Sequence, residues 1–137
     1  MAPSQVELMV YFDDADPAGI VFFANYLRLS ERALETILIN EGIPWTDWFD
    51  HPEWGAPLRH VEAEYMNPLR PGQKCVIQQG VLRLGDSSVA LQSEIYSHEN
   101  QLCARVVTTH VFVDKVKLKK RPIPDHLRNF LKAKLLS

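Results

Sequence analysis

One long apolar-striped segment, residues 24–41, stands between a single strand-like run and four consecutive ones, and that order leaves few folds open. Val6, Leu8 and Val10 alternate with Glu7, Met9 and Tyr11, as a half-buried strand does. Within 24–41, Leu27, Leu34 and Leu38 line one stripe and Tyr26, Ala33 and Ile37 an adjoining one, which predicts a helix buried on most sides and stopped at Gly42. The runs near 57–67, 74–84, 88–98 and 101–114 have strand character. Their connections, 68–72, 85–87 and 99–101, are short enough to pair sequence neighbours antiparallel. Behind Pro122 and Pro124, a segment over 125–136 places Leu127, Phe130, Leu131 and Leu135 on one helical face. The order predicts an α+β fold, a curved antiparallel sheet around a long central helix, closed by a short C-terminal helix. Residues 43–57, with Trp45, Trp48, Phe49 and Trp54, form an irregular aromatic segment suited to core packing or to lining a pocket.

Composition narrows the class. With 137 residues and 46% hydrophobic content, the chain is expected to form a single domain over 1–137, burying about two-thirds of its unfolded surface. A formal net charge of −2 offers no general field for nucleic acid. The longest uncharged stretch near the N-terminus is too short to span a bilayer, and no signal peptide or peroxisomal address is recognisable, so a cytoplasmic protein without membrane partners is expected. Cys75 and Cys103 stand in predicted strands without clustered His companions, which suits buried thiols better than zinc or a redox dithiol. Neither a metal nor another cofactor is expected.

The candidate chemistry lies at the first strand–helix junction, Asp13-Asp14-Ala15-Asp16-Pro17-Ala18-Gly19, followed by an apolar run. A carboxylate placed there sits beside the free N–H groups that open a helix, which favour developing negative charge. The plainer alternative is a helix entry in which Asp14 or Asp16 caps and Gly19 turns the chain. A calcium loop starting at Asp14 fails, because Ala18 and Asn25 stand where ligands belong. An aspartate phosphotransferase of the haloacid dehalogenase type is excluded by Ala18 and by chain length.

The same elements, with Asp14-Ala15-Asp16-Pro17-Ala18-Gly19-Ile20-Val21-Phe22-Phe23-Ala24-Asn25-Tyr26 at the junction, resemble the hotdog-fold acyl-CoA thioesterases of the 4-hydroxybenzoyl-CoA thioesterase family over nearly the whole chain. Tyr65, Pro68 and Gly72 match that family's second-strand pattern. The resemblance implies that Asp16 is catalytic, as nucleophile or as general base, and that the Phe23 main-chain N–H polarises the thioester carbonyl. Pro57-Leu58-Arg59-His60 and Lys120-Arg121-Pro122-Ile123-Pro124 are similar to motifs of the 1,4-dihydroxy-2-naphthoyl-CoA thioesterases of phylloquinone synthesis. That implies an aromatic acyl-CoA substrate, with His60 touching the acyl group and Asp14 and Gly19 shaping the site. One departure stands out. Where the family places a basic cluster for the nucleotide phosphates, this chain has Gly85-Asp86-Ser87 with only Arg83 nearby, so Lys119, Lys120 and Arg121 are the candidate substitutes. The resemblance also implies a homodimer or homotetramer with active sites between subunits. The competing expectations are a thioesterase for short or medium aliphatic acyl groups and a non-catalytic acyl-binding module.

Overall fold

Five strands form one antiparallel sheet in the computed structural model, which describes residues 3–136. These are β1 (Ser4–Met9), β3 (Leu58–Tyr65), β4 (Lys74–Leu84), β5 (Ser88–Ser97) and β6 (Leu102–Val111), in the spatial order β1-β4-β5-β6-β3. Two short strands, β2 (Trp54–Gly55) and β7 (Val113–Asp114), pair separately. The helices are α1 (Asn25–Asn40), α2 (Thr46–Phe49) and α3 (Asp125–Lys132). The hotdog architecture is therefore present: a curved sheet around one long helix, with a short helix near the C-terminus.

One pairing differs from expectation. β3 does not pair with β4 across the 68–72 connection; it lies at the far edge beside β6, while β4 sits between β1 and β5. The connection is held by distant partners instead. Val21 N–H donates to the Leu69 carbonyl at 2.8 Å, and Gly72 N–H to the Val10 carbonyl at 2.8 Å. These bonds carry the chain across one end of the sheet, beside the strand–helix junction.

α1 buries Tyr26, Leu29, Ser30, Ala33, Leu34, Ile37 and Leu38, the spacing of one broad helical face. It is not buried on most sides: Arg28, Glu31, Ile39 and Asn40 are exposed. Leu29 is at the centre of the stripe, and Leu27 packs only at its margin. Gly42, at φ +76°, ends the helix as its N–H turns back to the Ile39 carbonyl. Tyr26, Leu29, Ala33 and Ile37 of α1 cluster with Val6, Ile77, Ile95 and Val106 of the sheet. Leu34 and Leu38 cluster instead with Trp48, Trp54, Phe112, Leu127 and Leu131. Between them a buried polar knot joins α1, β4 and β5: the Ser30 and Ser93 hydroxyls are 2.8 Å apart, and Gln79 Nε2 donates to Ser93 Oγ at 2.8 Å.

α3 is shorter than the 125–136 span. Val81, beside a β-bulge in β4, exchanges hydrogen bonds with Lys134 and Leu136, so residues 133–136 leave the helix and cover the edge of β4 that β1 does not reach.

Candidate active site

The segment after β1 makes a single 3-10 turn, Phe12–Asp14, and a tight loop closed by an antiparallel bridge between Ala15 and Val21. Asp16 opens that loop. Its N–H donates to the Ile20 carbonyl at 3.0 Å, its carbonyl accepts from Gly19 N–H at 2.9 Å, and its Oδ1 accepts from Ala18 N–H at 2.8 Å. Pro17 fixes φ and Gly19 adopts φ +79°, so the sequence Asp-Pro-Ala-Gly holds the carboxylate by its own backbone. Asp16 Oδ2 has no partner among the described residues. Gly19 has open space where a Cβ would be, so backbone conformation is what this position requires.

Asp14 is fully buried beneath this loop. Its Oδ2 accepts from Tyr11 N–H at 2.9 Å, and Arg32 of α1 lies 3.8 Å from Oδ1. The Asp14 carbonyl accepts from Phe22 N–H at 3.0 Å and from the Asn25 side-chain amide at 2.8 Å. No side chain caps the start of α1, and the Phe23 N–H makes no hydrogen bond among the described residues. A carboxylate oxygen and a helix-start donor, both without protein partners, thus flank one short segment.

They open onto a cleft of about 370 Å³ lined by Asp16, Phe23, Tyr26, Tyr65 and Asn67, among others. The Tyr65 ring lies edge-on to Phe23 at 6.2 Å and 5.3 Å from Tyr26. The Tyr26 hydroxyl accepts from Leu69 N–H at 3.3 Å, and burial raises its pKa, keeping it neutral. Phe22, Phe23, Tyr65 and Met66 remain exposed, an apolar surface at one end of β3.

The remaining sequence candidates lie elsewhere. His60 is exposed on the sheet face turned away from α1, hydrogen-bonded to Glu62 at 3.0 Å; Ala63, one strand residue on, faces the core. Arg83 lies near the opposite end of β4, roughly 30 Å of strand from Lys74. Lys119, Lys120 and Arg121 share that distant end: the Arg121 N–H binds the Phe112 carbonyl, and its guanidinium stacks on Trp54 at 5.1 Å. Near them a second cleft, about 440 Å³, is lined by Trp48, Phe49, Trp54, Leu58 and His110. Within the aromatic segment, Trp48 and Trp54 are buried in the core and also wall this cleft. Asn25, Tyr26 and His110 were not singled out from the sequence. A lone imidazole directly before the apolar Val111-Phe112-Val113 was the available signal for the last.

The family model for the thioesterase-like superfamily matches residues 10–131. The chain is 31% identical to a 1,4-dihydroxy-2-naphthoyl-CoA hydrolase of Microcystis aeruginosa, covering 91% of this chain and 90% of that one. It is 30% identical to the hydrolase of the same name from Gloeothece citriformis, covering 90% and 92%. Among solved structures, a 1,4-dihydroxy-2-naphthoyl-CoA thioesterase from Synechocystis superimposes with a TM-score of 0.87 at 26% identity, covering 93% and 94%. Matched by that family model over most of its length, the chain belongs to the thioesterase-like superfamily.

Proposed function

We propose that the protein is a cytoplasmic acyl-CoA thioesterase that hydrolyses 1,4-dihydroxy-2-naphthoyl-CoA to the free acid and coenzyme A. The observation that carries this reading is likeness, over about nine-tenths of both chains, to relatives bearing that hydrolase name. The junction geometry supports it. Thioester cleavage moves charge onto the carbonyl oxygen, and the Phe23 N–H is a fixed donor for it. Asp16 Oδ2 is then the reacting oxygen. Acting as base, it takes a proton from water as the water attacks the carbonyl carbon; acting as nucleophile, it forms a mixed anhydride that water then opens. In both routes the carbon–sulfur bond breaks and the thiolate leaves. Label found in Asp16 after a single turnover in ¹⁸O-labelled water identifies the anhydride route, because general-base attack leaves both oxygens of that carboxylate in place.

The assembly we propose is a dimer through β3, with a tetramer built from such dimers. β3 pairs on one side only, and Leu58, Tyr65 and Met66 are exposed along or beside its free edge. Two copies pairing antiparallel there bring the Tyr65 end of each strand to the Leu58 end of the other. The Asp16 cleft of one copy then meets the aromatic cleft of the second. The second copy's basic run, Lys119 to Arg121, with Arg83 behind it, is proposed to meet the coenzyme A phosphates. The test is thiol release from dihydroxynaphthoyl-CoA, benzoyl-CoA and hexanoyl-CoA. The first is expected to have the highest kcat/KM; hexanoyl-CoA as the best substrate overturns the assignment.

A further inference from the structure

We infer that the second cleft reads a hydroxyl group on a planar aromatic ring, and that His110 Nε2 is the atom that accepts its hydrogen bond. This rests on the thioesterase reading, because only in the proposed dimer does the cleft face Asp16.

His110 lies on β6, opposite Leu58 of β3 and Val89 of β5, and is only 5% exposed. Its Nδ1 is 3.2 Å from the Ala56 carbonyl, an atom that can only accept, so Nδ1 carries the ring proton. Nε2 therefore presents a lone pair. That atom is buried with no hydrogen-bond partner among the described residues. Burial also lowers the pKa of the ring, which opposes a second proton there. A buried acceptor left unpaired is unfavourable, and a ligand that supplies a donor removes that deficit.

The walls say which kind of donor fits. The Trp48 ring meets the imidazole edge-on at 5.6 Å, and Phe49, Trp54 and Leu58 add apolar walls to a cleft that Glu31 and Lys115 also line. A volume of about 440 Å³ is within the range of small-molecule pockets. A flat ring suits the aromatic walls, whereas carboxylate, carbonyl and phosphate oxygens offer Nε2 only another lone pair. The match is a phenolic ring. Sequence motif alone had pointed to His60 for this contact, but that imidazole is exposed and engaged with Glu62.

The full-length protein is titrated calorimetrically with 1,4-dihydroxy-2-naphthoate and with 2-naphthoate, which lacks both hydroxyls. The hydroxylated acid is expected to bind at least about tenfold more tightly. In ¹⁵N spectra of wild type, the His110 Nε2 resonance should move with the hydroxylated acid and stay with 2-naphthoate. His110→Phe, which keeps a flat ring and removes the acceptor, should bring the two affinities together. Equal affinities in wild type, or an unmoved Nε2 resonance, overturn the inference whether or not the variant folds. These readouts need no turnover, so an inactive protein that still discriminates sinks the thioesterase reading alone, and an active one that does not discriminate sinks the His110 contact alone.

Discussion

The side-chain amide of Asn25 donates a 2.8 Å hydrogen bond to the main-chain carbonyl of Asp14. That bond joins the first residue of α1 to the loop carrying Asp16, and so fixes the helix-start donor relative to the carboxylate. Asn25→Ala should lower kcat by about tenfold with little change in KM, as expected when a reacting geometry loosens while binding surfaces persist. Steady-state kinetics check this. A fall seen only in KM would assign Asn25 to substrate binding.

Asp16→Asn should reduce kcat by about a hundredfold or more while leaving the unfolding midpoint nearly unchanged. The amide oxygen can still accept from Ala18 N–H, so the loop survives when the reactive oxygen is lost. Asp14→Asn should show the reverse balance, since a fully buried carboxylate beside Arg32 is replaced by an amide that has donors to satisfy. Urea melts paired with thiol-release assays separate the two. Equal activity losses would leave Asp16 without its distinct role.

Ser93→Ala should destabilise the fold by about 1–3 kcal/mol, because the Gln79 amide and the Ser30 hydroxyl each lose a buried partner. The urea midpoint should fall while the catalytic constants of the folded protein stay near wild type. A change below about 0.5 kcal/mol would mean that the knot contributes nothing net.

Replacing Lys119, Lys120 and Arg121 together by Gln should raise KM for coenzyme A thioesters severalfold at low ionic strength, with a smaller effect on kcat. The difference should shrink as salt is added, since screening weakens exposed charges. An unchanged KM at low salt would leave the run as a solvated edge.

The sequence made the elements legible and left their placement in part unreadable. Alternation in 74–84 and 88–98 identified β4 and β5 almost to the residue, because both strands bury one face. The edge position of β3 was hidden, since 68–72 is as short as a hairpin loop and its anchors, Val21 and Val10, are remote in sequence. The two histidines show the same limit at the site. The β3 register shifts between Leu58 and His60, and alternation alone cannot say on which face residues around such a bulge emerge. Asp16 was legible because its supports are local: Pro17, Ala18, Gly19 and Ile20 are its immediate neighbours. His110 was not, because its burial comes from Trp48 and Ala56, more than fifty residues away.

Cys75 gives the protein an alkaline limit. The thiol is fully buried, and desolvation, with a smaller effect of Cys103, pushes its pKa up to about 11 from an ordinary 9.0. Between those values the unfolded chain gives up the proton and the folded chain keeps it, so the unfolded state binds fewer protons and stability falls as pH rises. Below pH 9 this contribution is fully present; by pH 11 the loss is on the order of 2–3 kcal/mol. Urea unfolding followed from pH 8 to 11 should show the decline. Cys75→Ala should start lower, because it leaves a small cavity, yet decline less steeply over the same interval. The residual slope belongs to Tyr26, Tyr96 and Cys103, whose pKa values burial also raises. Parallel slopes for wild type and variant would mean that Cys75 ionises in the folded protein as readily as in the unfolded chain.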